Sequence, residues 1–157
     1  MTERETIESG AERDVLPVRY DLCSPVALKC LDDFAKDRQM FMRYRPLQGL
    51  LFDMPGSNSE LLDYLFHFIA FENNENDGQI LAYILEAYAR TMHEGAAKYG
   101  ERVWEKGIPE DNLRNHAIHH LVKLIGGDTS EPHLDHLIWN VLTIIHFREK
   151  EKGEGNG

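Results

Sequence analysis

The chain has 157 residues, a formal charge of −10, and apolar and charged fractions of 42% and 28%, which suits one globular domain with a substantial core and leaves no room for two. The acidic balance disfavours broad nucleic-acid binding and docking on an anionic membrane, because both need Lys and Arg to face phosphates. No apolar run approaches a membrane span and residues 1–16 lack the apolar stretch of a secretory leader, so a cytoplasmic protein is expected.

In chain order, residues 1–16 are polar, charged and aperiodic, and predict a mobile acidic arm. Ser24-Pro25 reads as an N-cap followed by Pro at the first helical position. A helix over 25–43 then turns Ala27, Leu28, Leu31, Phe34 and Ala35 inward, with Cys23 and Cys30 as small buried thiols in a reducing compartment. Pro46, Gly49, Pro55 and Gly56 make 45–57 a connection. Ser59 is placed to cap a second helix to about Phe71, and a third follows over 79–98, burying Ile80, Tyr83, Ile84, Ala87, Tyr88 and Thr91, with Gly100 as its stop. Pro109 and the acids behind it start a fourth helix, ended by Gly126-Gly127. Ser130-Glu131-Pro132 opens a fifth, which runs to about Arg148 before a disordered tail at 151–157. No segment sustains period-two alternation. The expected fold is therefore all-α, a bundle of four or five helices forming one domain over 17–150.

Six of the eight histidines lie between His116 and His146, interleaved with Asp128, Glu131 and Asp135. His116/His120 and His133/His136 are spaced i to i+4 and i to i+3, so each pair shares a helix face. The short GGDTSE turn brings the ends of helices four and five together. His120, His133 and His136 thus come near Asp128 and Glu131, a set able to bind a divalent metal or to remain hydrogen-bonded within the bundle. A second acidic pair, Glu60 and Asp63, offers oxygen ligands of the kind Mg²⁺ prefers, or else a capping carboxylate and a solvated one. Glu86, Arg90 and Glu94 follow an i, i+4, i+8 ladder of the sort that forms surface ion pairs. His67, His93 and His146 are expected to be structural. Arg19, suited to gripping a phosphate, precedes Asp21, whose carboxylate suits the N–H edge of a purine. Lys98 closes helix three. Trp104 lies in a Gly-containing loop, as a plate for a base or a plug for the bundle. The chain lacks GxxxxGK followed by Ser or Thr, GxGxxG, GxSxG, HExxH and an adjacent His-Asp pair.

RYDL–SPVAL (19–28), GAAKYGERVWEKGIP (95–109), HHL (119–121) and GDTSEPHLDHLIWN (127–140) together resemble the phage dATP/dGTP diphosphohydrolases, the MazZ type among the MazG-like all-α nucleoside triphosphate pyrophosphatases. The resemblance covers the start of helix one and nearly all of 85–147, while 31–78 looks inserted or divergent. It implies hydrolysis of dGTP and dATP to monophosphate and pyrophosphate with Mg²⁺ or Mn²⁺, in a homodimer or homotetramer. Arg19 and Asp21 match the family's RYDL element, and Lys98 and Trp104 its KYG…W segment. His120, His133, His136 and Asn140 match its histidine elements, and Asp128 and Glu131 fall in its acidic turn. The resemblance thus implies catalytic roles for Lys98, His120, Glu131 and His136, and substrate contacts from Arg19, Asp21, Lys98, Trp104 and Asn140. The metal set is His116, His120, Asp128, Glu131, His133 and His136. Val103 stands where Asn is expected and His119 where Arg is expected, so one substrate contact is open to rearrangement. The wider clan's EExxE is missing, which keeps Glu60 and Asp63 as rival ligands. A non-catalytic helical interaction protein on the same scaffold is the alternative that the acidic charge and the missing motif support.

Overall fold

The computed structural model describes residues 3–16, 19–24, 26, 27, 30, 31, 34, 56–73 and 76–155, the side chains of Asp21 and of 71–73 excepted. Its order is a hairpin of β1 (Arg4–Thr6) and β2 (Glu12–Asp14), a 3-10 turn at Tyr20–Leu22, then four helices: α1 (Asn58–Asn73), α2 (Asp77–Tyr99), α3 (Glu110–Ile125) and α4 (His133–Gly155). The protein is predominantly helical, as expected. No helix among the described residues is long and apolar enough to cross a membrane.

Helix boundaries follow local chemistry. Asn76 opens α2 with a reciprocal capping box, its side chain accepting from Gln79 N–H at 2.9 Å while the Gln79 side chain accepts from Asn76 N–H at 3.0 Å. Gly100 closes the helix at φ 107°, a backbone conformation that glycine adopts without strain. The cap of α1 is Ser57, whose Oγ accepts from Glu60 N–H at 3.1 Å, and not Ser59. Glu110 and Asp111 place acid in the first turn of α3, where the unpaired N–H groups favour negative charge.

The core lies among α1, α2, α3 and α4. Leu113, Ala117 and Leu121 of α3 face Leu137, Ile138, Val141 and Ile144 of α4, and Leu61, Leu65, Ile69, Ile80, Ile84 and Ala87 close the other side. Each buried Leu or Ile contributes about 1.5–3 kcal/mol. Arg148, late in α4, binds Glu110 at the start of α3, its second nitrogen donating to Oε2 at 3.0 Å, while His120 meets His133 at the opposite ends. The two helices are therefore antiparallel. Arg90 does not join a surface ladder alone: its Nε donates to Asp135 Oδ2 at 2.9 Å, tying α2 to the first turn of α4.

Three expectations need correction. Residues 4–14 are not an irregular arm but an antiparallel hairpin, with Glu5 opposite Arg13. It escapes hydropathy analysis because only Ala11 and Ile7 join it to the core and polar contacts add the rest: Asn112 Nδ2 donates to Glu5 Oε1 at 3.2 Å and Ser9 Oγ donates to the Gly107 carbonyl. At the other end α4 continues to Gly155, so helix replaces most of the expected tail at 151–157. Most of the helix expected over 25–43 lies outside the described residues. Ser24 Oγ does accept from Ala27 N–H at 3.2 Å, yet Leu31, Phe34, Cys23 and Cys30 are exposed rather than turned inward.

Candidate active site

A cavity of about 840 Å³ opens between the end of α2, the adjoining 3-10 turn (Val103–Lys106), the middle of α3, the start of α4 and strand β2. That volume falls in the range of about 300–1,000 Å³ usual for small-molecule sites. Lys98, Trp104, His116, His120, Glu131, His136 and Asn140, all singled out by sequence, line it together. His133 and Asp128 stand behind His120, and Arg19 lies outside the lining. Glu60 and Asp63 also lie outside it on α1, where Asp63 faces His67 at 3.4 Å.

The histidines converge because α3 and α4 are antiparallel across the 126–132 turn. His120 Nδ1 and His133 Nδ1 are 2.9 Å apart. Two nitrogens held about 2.1 Å from one ion at right angles would stand about 3 Å apart, so this spacing suits neighbouring ligands. Glu131 Oε1 lies 3.9 Å from His120 Nδ1 and 3.6 Å from His133 Nδ1. One donor atom each from His119, His120 and Glu131 fall within 4.8 Å of one another. His119 is the ligand candidate that sequence reasoning missed, reading it only as a replaced arginine. The His119-His120 doublet was the available signal.

Burial lowers the pKa of His119, and pushes His116 and His120 down to about 2, so all three imidazoles are neutral at pH 7 and keep a lone pair for a ligand. His119 Nδ1 and His133 Nε2 are buried without a hydrogen bond. The orphaned His119 nitrogen beside the Glu131 carboxylate fits a bound cation, while an ion between the Nδ1 atoms of His120 and His133 leaves His133 Nε2 to Asp128. Asp128 Oδ2 is 3.4 Å from His133 Nε2, close enough to attract it but not aligned as a hydrogen bond. Ser130 N–H, donating to Asp128 Oδ1 at 2.8 Å, holds that carboxyl down at about 2. Asp128 therefore backs His133 from behind. His136 points its Nε2 at Glu94 Oε2, 3.2 Å away, with its ring 4.8 Å from that of His120.

The remaining wall is built differently from expectation. Lys98 Nζ meets both oxygens of Asp14 at 2.7 and 2.8 Å, and Tyr99 Oη donates to Asp14 Oδ1 at 2.8 Å. Burial alone would raise the Asp14 carboxyl, but these two donors hold it below its ordinary value. Asn140 is fully enclosed: its Nδ2 donates to the His136 carbonyl at 2.8 Å and its Oδ1 accepts from Arg13 at 2.9 Å. Trp104 stands edge-on to Trp139, His146 and Phe147, so it is both cavity wall and packing element. Tyr20 N–H donates to Asn115 Oδ1 at 2.6 Å, which fastens the turn carrying Asp21 to α3 beside His119.

A helical bundle with a histidine–carboxylate cluster, able to take a divalent metal at the wall of a ligand-sized cavity, has the make-up of a metal-dependent hydrolase. The family model described as dATP/dGTP diphosphohydrolase, N-terminal, matches residues 76–156, just over half of the chain, and spans α2, α3 and α4 with every histidine of the cluster. The chain belongs to that family and is a hydrolase of deoxynucleoside triphosphates. No curated protein and no solved structure matches it.

Proposed function

We propose that this chain cleaves dGTP and dATP between the α and β phosphates, releasing the deoxynucleoside monophosphate and pyrophosphate. The observation that carries the reading is the placement of His119, His120 and Glu131 on one cavity with Lys98 and Trp104. His119, His120, Glu131 and His133 are the proposed metal ligands. Nitrogen-rich donors suit Mn²⁺ better than Mg²⁺, which favours an all-oxygen shell, so Mn²⁺ is the proposed cofactor. Such an ion supplies positive charge to the phosphates and lowers the pKa of water bound to it.

The chain's own groups do the rest. His136, poised against Glu94, is the proposed proton acceptor for the attacking water, with Glu94 orienting its ring. Lys98 neutralises the departing pyrophosphate once the phosphate has replaced Asp14 as its partner. Trp104 supplies an aromatic face for the base, and Asp21 an acceptor for the purine's N–H edge. His116 and Asn140 are supporting groups on the wall. The protein works in the cytoplasm, where deoxynucleotide pools lie, as a homodimer or homotetramer. Leu81 and Leu85, 51% and 60% exposed on α2, support assembly through that face.

The test is direct. Purified protein with Mn²⁺ should release pyrophosphate from dGTP and dATP, with dTTP and dCTP turned over far more slowly. Absence of pyrophosphate from all four would overturn the reading.

A further inference from the structure

The cavity has an electrostatic difficulty. A triphosphate must enter an acidic protein, and Glu12, Asp14, Glu94, Glu101, Glu105 and Glu131 all line its path. Burial holds His116, His119 and His120 neutral, so these three do not help as cations. Only Arg13, Lys98 and Arg102 among the lining residues carry a permanent positive charge. Lys98 is matched by Asp14 at 2.7 Å, and Arg102, 78% exposed, by Glu105 at 2.7 Å.

Arg13 is different. It is 8% exposed, and although Glu5 across the hairpin and its neighbour Asp14 act on it through space, no salt bridge among the described residues joins it to a carboxylate. Its partners are two neutral amides: one terminal nitrogen donates to Asn112 Oδ1 at 3.2 Å and the other to Asn140 Oδ1 at 2.9 Å, with the guanidinium 5.5 Å over the Trp139 ring. A guanidinium has five N–H donors in a fixed fork, so these contacts orient it and leave donors over. Burying a cation without a directly paired anion is costly, and burial pushes the Arg13 pKa down to about 10 even though Asp14 and Glu5 act to raise it. Its charge also acts on His116 and His120, so it sits beside the proposed metal cluster. A buried, preoriented cation on a cavity wall, with amide partners and no salt bridge of its own, suits an anionic ligand.

We infer that the amino-terminal hairpin is part of the active site and that Arg13 is a substrate-binding residue, gripping the triphosphate of the bound nucleotide. Asn112 and Asn140 are its positioning residues. This rests on the proposed reaction, but it assigns a role to a segment outside the stretch that the family model matches.

Binding of inorganic tripolyphosphate and of deoxyguanosine to the full chain, in Mn²⁺, tests it by calorimetry. Arg13→Gln should weaken tripolyphosphate by roughly 10- to 100-fold, the usual weight of a charge-assisted contact, and leave deoxyguanosine within about twofold. Arg13→Lys should recover part of the loss, having the charge without the fork. Equal weakening of both ligands would make Arg13 a structural anchor and overturn the inference, as would unchanged tripolyphosphate affinity. If Arg13→Gln detaches the hairpin, the guanidinium ¹⁵N resonance of wild-type Arg13 decides: it should shift on adding tripolyphosphate, and a stationary signal overturns the assignment. The two readings separate cleanly. Wild-type protein that binds tripolyphosphate through Arg13 yet releases no pyrophosphate from dGTP keeps this inference and loses the reaction. Pyrophosphate release with an unchanged KM for dGTP in Arg13→Gln does the reverse.

Discussion

His120 joins the two halves of the proposed metal cluster, with its Nδ1 2.9 Å from that of His133 on α4 and 3.9 Å from Glu131 Oε1. His120→Ala should reduce pyrophosphate release by more than about 100-fold and lower the bound Mn²⁺ measured by elemental analysis, because a directly coordinating group weighs at least as much as the groups behind it. The fold should survive, at a cost of about 1–3 kcal/mol for leaving His133 without its neighbour, read from the denaturant midpoint. The paired substitution Glu60→Ala and Asp63→Ala should leave turnover within about twofold, the small effect usual for surface changes away from a site. The opposite ranking would move the metal to α1. Most of these residues were legible in sequence because helical spacing dictates who shares a face. His119 was harder, since two adjacent residues point in different directions on a helix and only the tertiary packing shows that both reach the cavity.

Helix ends were legible for the same local reasons, since Pro109, Gly100 and the 126–127 glycines mark where hydrogen-bonding chains must start or stop, whereas the Asn76 capping box was not read. The hairpin was not, because its strands have three residues each and bury little but Ala11 and Arg13. Its attachment depends on charge, so it should respond to pH. The Asp14 carboxyl is held below its ordinary value of 3.8 by hydrogen bonds from Lys98 and Tyr99 that outweigh burial. A group whose pKa is depressed by folding stabilises fully above its unfolded value and loses that contribution as pH falls through the folded value. Amide exchange over residues 4–14 should therefore be protected at pH 5 and above, and accelerate below about pH 4 once normalised for intrinsic rates. Asp14→Asn should show the weaker protection at every pH. Equal protection in the wild type and the variant at pH 6 would mean that the Asn112 and Ser9 contacts hold the hairpin without Asp14.

At the scale of the whole molecule, metal binding and stability are one equilibrium. The proposed ligands come from α3, the turn after it and the beginning of α4, so an ion held among them ties together two helices that pack closely and that unfolding separates. Without it, His119 Nδ1 stays buried and unpaired, at a cost of about 1–3 kcal/mol. Any ligand bound by the native state alone stabilises by RT ln(1 + [L]/Kd), about 2.7 kcal/mol at a hundredfold excess over Kd. For a domain of this size that corresponds to a rise in Tm of roughly 5–10 °C. Mn²⁺ should produce such a rise, EDTA should reverse it, and Mg²⁺ at equal concentration should produce less, since imidazole nitrogens are poor partners for it. His120→Ala should abolish the response while Glu60→Ala keeps it. A Tm that stays put at Mn²⁺ concentrations supporting full turnover would mean the ion arrives with the nucleotide, its ligands mainly phosphate oxygens, and that the histidine cluster serves the bundle rather than the metal.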